Sequence, residues 1–387
     1  MMLNLAMLFI TTRWMGAENK GEISLLVLNF SVAAILSGLF GGPSLVYLTP
    51  RFKFSSLMLL NYLWSILTVI GLTLLFQWTD LPLNVNPLLF AGMALLECLI
   101  AAHFMILLGK EDIKKHNWLQ ILKVSLTVAV LLILRSSSEI DFQSFIQAYG
   151  SSLAATYLIS IPLLIGKNRK TGPNLIETAR NAFKYGVLVQ TGNISQLLNY
   201  RLSYYLMELL ISPPQLALIR IGIFHTAVQI AEALWQFAKS ISTVQYATVS
   251  NLKDTKKGLS ISIQLAKLNY AATTLGLIIL LILPSSFYSG LFGAEFTEVK
   301  DHLYWLSAGI FSLSISNALS HYFAGIGKHK YNTYSSIFGL AITAMIAYPA
   351  IQYWGTIGAA ISASVVYTFQ TIYQYWFLYK SESVTPT

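Results

Sequence analysis

Apolar runs long enough to cross a bilayer follow one another along almost the whole chain, with only short polar stretches between them. A bilayer core accepts about 20 apolar residues per helix, with a range of roughly 17–25. That ruler places helices over residues 1–12, 23–48, 55–78, 87–108, 118–134, 142–165, 185–200, 216–244, 261–287, 303–326, 331–354 and 356–378. Twelve helices, with no stretch patterned as strand, predict an all-α polytopic membrane protein. Composition closes off the alternatives. Of 387 residues, 55% are apolar or aromatic and 11% are charged, against roughly 25% charged in a soluble domain. A water-soluble fold has no place to hide that much apolar surface. Cys98 is the sole cysteine, so neither an intrachain disulfide nor a Cys-based zinc site can form.

The first run is too short to span unaided, since twelve residues precede Arg13. It has neither the basic start nor the small-residue cleavage site of a signal peptide. It reads as the second half of a helix, from a start upstream of Met1 or as a half-span.

Net charge is +9, and the cations sit in short loops, a sign of membrane topology rather than of a nucleic-acid groove. With the loop after the second helix inside, the cytoplasmic side collects Arg51, Lys53, Lys110, Lys114, Lys115, Lys167, Arg169, Lys170, Arg180, Lys184, Lys253, Lys256, Lys257, Lys328, Lys330 and Lys380. The opposite side holds Arg13, Lys20, Arg135, Arg201 and Lys300. Sixteen against five is a strong positive-inside bias, and it predicts both termini in the cytoplasm. The basic stretch 167–184 divides the chain into an N-terminal six-helix lobe, 1–166, and a C-terminal one, 185–387. That is a transporter layout.

Motifs for chemistry are missing. The sequence has no Walker A pattern, no GxGxxG and no HExxH, and its six histidines are dispersed. We read a non-enzyme that needs no cofactor. What stands out is a short set of ionisable groups inside apolar text: Glu97, Lys123, Arg201, Glu208, Arg220, Glu232 and Lys239. Such groups cost about 2.5–3.5 kcal/mol each on insertion scales and face interior cavities. Lys123 is close enough to one end of its helix to snorkel to the surface. Arg201 and Arg220 bracket a loosely apolar region and are harder to place at a surface. A guanidinium offers a planar, permanently charged fork for phosphate oxygens. Arg201, Arg220 and Lys123 are therefore candidate contacts for an anionic substrate. Tyr204 and Tyr205 are candidate stacking platforms for sugar rings, or interfacial anchors. Glu97 and Glu232 are candidates for ion coupling or for a cavity ion pair.

Several strings resemble one family. Arg13-Trp-Met-Gly-Ala-Glu-Asn-Lys-Gly-Glu-Ile resembles the stretch after the first helix of polysaccharide flippases, which belong to the multidrug/oligosaccharidyl-lipid/polysaccharide exporter superfamily. Phe183-Lys-Tyr-Gly resembles the opening of their seventh helix, and Ala231-Glu-Ala-Leu-Trp-Gln-Phe-Ala-Lys-Ser-Ile-Ser a segment of their eighth. Leu291-Phe-Gly-Ala-Glu-Phe, Tyr322-Phe-Ala-Gly-Ile-Gly-Lys and Trp354-Gly-Thr-Ile-Gly-Ala-Ala resemble the openings of their last three helices. The strings occur in the family's order across nearly the whole chain. The first helix looks truncated, and the acidic residue expected two places after Arg201 is Ser203.

The resemblance implies two six-helix lobes around a central cavity, in the bacterial inner membrane. It implies alternating access that flips an undecaprenyl-pyrophosphate-linked oligosaccharide, an O-antigen or capsule repeat unit. Its partners would be that lipid-linked glycan, membrane lipid and a polysaccharide polymerase, with no nucleic acid. A cation-coupled drug or small-solute antiporter of the same fold is the alternative. A membrane-embedded polymerase or acyltransferase stands further off.

Overall fold

The computed structural model describes residues 2–79, 85–165, 174–251, 255–328 and 330–383. Lys167, Arg169, Lys170 and Lys253, and the side chains of Lys239 and Lys256, lie outside the described residues. Among the described residues every regular element is a helix. These are α1 Met2–Arg13, α2 Gly16–Gly41, α3 Pro43–Leu48, α4 Phe54–Trp78, α5 Pro87–Gly109, α6 Ile113–Ser137, α7 Phe142–Leu164, α8 Leu175–Leu210, α9 Pro214–Asn251, α10 Thr255–Ile282, α11 Ser285–Phe292, α12 Val299–Gly325 and α13 Lys330–Ser383, with a 3-10 turn at Ala294–Glu298.

All twelve expected runs fall on helices, and the differences are local. The 23–48 run is divided at Gly42 and Pro43, the proline sitting at the first helical position of α3 where its missing N–H costs nothing. Pro284 likewise separates α10 from α11. The last two runs are two helices that meet within α13 at Gly355, where the backbone leaves the helical region at a φ of +57° that only glycine adopts without strain. Helix α8 begins at Leu175, inside the stretch read as a linker.

Side-chain caps fix several starts. Asn86 accepts the N–H of Leu88 at the start of α5, and Asp112 that of Lys115 in α6. At α7, Asp141 and Ser144 form a reciprocal capping box.

Lipid is the solvent these helices are built for. On α4 the outward stripe is Leu59, Leu63, Leu67, Ile70 and Leu74, all exposed, while the buried face carries Asn61 and Ser65 beside Leu57, Val69, Leu72 and Phe76. Greasy outside with polar groups inside inverts the arrangement of a water-soluble helix. Seven stretches are long and apolar enough to cross a membrane: Gly16–Leu48, Phe54–Trp78, Pro87–Gly109, Ile113–Ser137, Pro214–Leu234, Lys257–Ile282 and Lys330–Lys380. The chain is a multi-pass, all-α membrane protein.

Two compact units emerge from the contacts. One comprises Met1–Ile10 and Glu22–Ile194, the other Thr11–Gly21 and Ser195–Thr387. In the first, α5 packs against α3, α4, α6 and α7. In the second, α12 packs against α9, α10 and α13 and is buried along most of its length. Helices α1, α2 and α8 contribute to both units. Within the second unit the start of α2 crosses α9 at glycines. A Cβ on Gly21 would run into the carbonyl of Leu218, and one on Gly222 into that of Ala17.

Candidate functional site

In the second unit a polar seam lies on one face of α9. His225, Gln229 and Glu232 follow one another at helical spacing, so their side chains stack along that face. Each holds a partner from another helix. Arg201 of α8 pairs with Glu232 at 2.7 Å, the two side chains being 19% and 30% exposed. The same guanidinium donates to the Tyr204 hydroxyl at 3.0 Å and lies over the Tyr204 ring at 5.4 Å. That hydroxyl is 2.9 Å from His225 Nδ1. Lys20 of α2 donates to Gln229 Oε1 at 2.8 Å and to Thr11 Oγ1 at 3.1 Å.

Two placements correct the sequence reading. Lys20, read as an outward-facing loop cation, is in the second turn of α2 and 3% exposed. Arg201, also counted in a loop, lies inside α8 with nine helical residues after it. Glu232 also lines a pocket, together with Tyr200, Tyr367, Phe224, Val228 and Leu306. Tyr200 meets Tyr367 edge-on at 5.3 Å. Tyr205, half-buried, follows Tyr204 round the helix.

Arg220 is elsewhere. It pairs with Glu298 at the end of the 3-10 turn, where the side chains are 36% and 43% exposed. Twelve residues of α9 separate Arg220 from Glu232, about 18 Å at 1.5 Å per residue. The structure therefore does not bring Arg201 and Arg220 to one phosphate group.

The first unit holds a second charge centre. Lys123 of α6 binds both carboxylate oxygens of Glu97 of α5, at 2.6 and 2.8 Å, and Tyr149 of α7 donates to the same carboxylate at 3.0 Å. Lys123 and Glu97 are 16% and 18% exposed. Lys123 thus turns inward to a carboxylate instead of snorkelling to the surface. Nearby, buried His103 bridges the Tyr62 hydroxyl at 2.8 Å and the Ser160 hydroxyl at 2.6 Å, and stacks on Tyr157. Among the described residues no group of three or more His, Cys, Asp and Glu side chains is placed to hold a metal.

This arrangement of helices has counterparts of known structure. An inward-facing multidrug resistance MATE-family transporter of the MOP superfamily superposes with a TM-score of 0.77 at 14% identity, covering 99% of this chain and 96% of that one. The fold is that of the MATE transporters. Lipid II flippase MurJ, in an inward closed conformation, superposes with a TM-score of 0.75 at 14% identity, over 98% of this chain and 85% of that one. A MOP-superfamily transporter from Pyrococcus furiosus with a binding pocket of reversed polarity gives 0.62 at 14% identity, over 100% and 88%. No family model matches the chain, and no curated protein matches it in sequence. At this identity the likeness establishes the MATE-like fold alone.

Sequence reasoning missed Lys20, Gln229 and Tyr149. Lys20 sits among Glu18, Asn19 and Glu22, and that local polarity reads as loop. One signal was available: Gly16 and Gly21 flank the segment, and a close helix crossing needs a residue without a Cβ.

Proposed function

We propose that the chain is a flippase, carrying an undecaprenyl-pyrophosphate-linked oligosaccharide of the O-antigen or capsule type across the bacterial inner membrane by alternating access. In this reading the lobes are 1–166 and 185–387, joined by the basic stretch 167–184, and both termini are cytoplasmic. The observation that carries it is Arg201, a permanent cation kept inside a membrane protein and oriented by Glu232, Tyr204 and His225. A guanidinium held this way presents its remaining donors to phosphate oxygens without first losing rotamer freedom. Tyr204 acts as its buried support, and Tyr205, half-buried, is the aromatic assigned to sugar rings. A fold shared with a lipid II flippase supports the same class of cargo. The flipped unit would pass to a polymerase.

The test is complementation of a strain lacking its own flippase. The unaltered chain restores surface glycan. Arg201→Ala loses it and accumulates lipid-linked glycan on the inner leaflet, with the variant present in the membrane at normal level. Arg220→Ala keeps most of the activity, because Arg220 is paired about 18 Å away along α9. Full complementation by Arg201→Ala removes the reading.

A cation-coupled antiporter is the second reading. It is favoured by Glu97, a carboxylate held inside the first unit by Lys123 and Tyr149. Exchange of a drug cation for protons in everted vesicles, abolished by Glu97→Gln, would select it.

A further inference from the structure

We propose that the turn between α3 and α4 and the turn between α5 and α6 form one docking surface for the headgroups of anionic phospholipids. The proposal is independent of what the chain carries. Topology asks only that cations share a side of the membrane; the structure packs five of them together. Phe52, between Arg51 and Lys53, belongs to one buried cluster with Ile106 and Leu107 of α5 and Leu119 of α6. Gly109 lies so close to Thr49 that a Cβ would run into its side chain, and the Lys110 ammonium sits over the Phe54 ring at 4.9 Å. The two turns are therefore neighbours in the first unit. Arg51, Lys53, Lys110, Lys114 and Lys115 gather at that end of it.

Charge there is unbalanced. The same turns hold two acids, Glu111 and Asp112, and Asp112 is committed to capping α6 and to Lys115 at 2.6 Å. Lys53 and Lys114 are exposed, and among the described residues neither is paired with a carboxylate. Burial and the Lys115 charge push the Lys110 ammonium below its usual range, against the opposing pull of Asp112. An anion at this patch relieves that repulsion. Lys114 and Lys115 do not serve α6 itself, because its first turn is the positive end of the helix dipole. Depth decides which anion. Helix α6 has 25 residues, about 38 Å at 1.5 Å per residue, against about 30 Å of hydrocarbon. Its start therefore reaches the headgroup layer. Ile113 and Trp118 at this end are 59% and 50% exposed. That apolar surface beside the cations suits a lipid, not an acidic protein or nucleic acid in water.

The test is Trp118 fluorescence of the full chain in phosphatidylcholine nanodiscs, taken as the difference from Trp118→Phe. One sample carries bromine on the chains of phosphatidylglycerol, the other on an equal mole fraction of phosphatidylcholine. Brominated phosphatidylglycerol should quench Trp118 several-fold more strongly, and about 1 M NaCl should remove most of that excess. Lys53→Gln/Lys114→Gln should also remove most of it, since each surface cation is worth up to about fivefold in binding. Lys53→Arg/Lys114→Arg should retain it. So should Lys328→Gln/Lys330→Gln, which takes equal charge from the second unit. Should the first double variant fail to fold, the unaltered chain at low and high salt still decides. Equal quenching by the two lipids assigns the patch to another partner and overturns the proposal. An excess that survives high salt or Lys53→Gln/Lys114→Gln, or that Lys328→Gln/Lys330→Gln abolishes as well, overturns it too.

Discussion

Glu97 and Lys123 show how a charge survives inside an apolar bundle. The carboxylate accepts two bonds from the ammonium and a third from Tyr149, so its desolvation is offset by three charge-assisted contacts. Such a pair adds little net stability, yet breaking it is costly because it strands a charge. Lys123→Met should lower stability by about 3 kcal/mol, the lower end of the range for a buried pair. Combining it with Glu97→Gln should recover most of that loss, and a double-mutant cycle of thermal unfolding in detergent checks it. Full additivity would show that the two side chains act separately. The sequence placed both residues inside apolar text, with Lys123 near enough to a helix end to snorkel, but did not show that they meet. They are 26 positions apart on different helices, and helix periodicity carries no information on which faces of two helices turn toward each other. The same limit separated Arg201 from Glu232, and it suggested a shared role for Arg201 and Arg220 that the twelve positions of α9 between Arg220 and Glu232, the partner of Arg201, deny.

Helix ends and helix crossings are where single elements can be tested. Asp141 caps α7 from an exposed position, and the backbone N–H of Ser144 holds its carboxyl below the usual carboxylate range. The sign follows from that depression. The cap contributes fully above the carboxyl's unfolded pKa and is lost as pH falls through the lower folded value. Asp141→Ala should cost about 1 kcal/mol at neutral pH. That deficit should shrink in acid, which melting curves at pH 7 and pH 3 would record. Where α2 crosses α9, a side chain on either glycine meets backbone, which cannot move aside as a flexible side chain does. Gly222→Leu should therefore separate the two helices. Faster reaction of a Lys20→Cys probe with a maleimide than in the Gly222 background would detect it, and an unchanged rate would refute the close crossing. The sequence revealed the elements well because apolar runs of bilayer length recur along it, several of them bounded by proline, glycine or a capping residue. It misjudged the ends of α2 and α8, where charged residues continue a helix rather than terminate it.

On the scale of the whole molecule, the all-α membrane fold was legible because lipid imposes one period and one length on every element. Exposed leucines on α4 and polar groups on its buried face follow from that single constraint. The site was legible only as an inventory of expensive side chains. Its assembly depends on α1, α2 and α8 lending residues to both units, a property of three-dimensional connection that no local pattern encodes. The seam also imposes a timetable. Lys20 emerges from the ribosome 209 residues ahead of Gln229, the amide that receives it. At about 5–20 residues per second, synthesis leaves this ammonium waiting roughly 10–40 s for its acceptor. The start of α2 must therefore be sheltered at the insertion machinery, or linger at the interface, until α9 arrives to claim it.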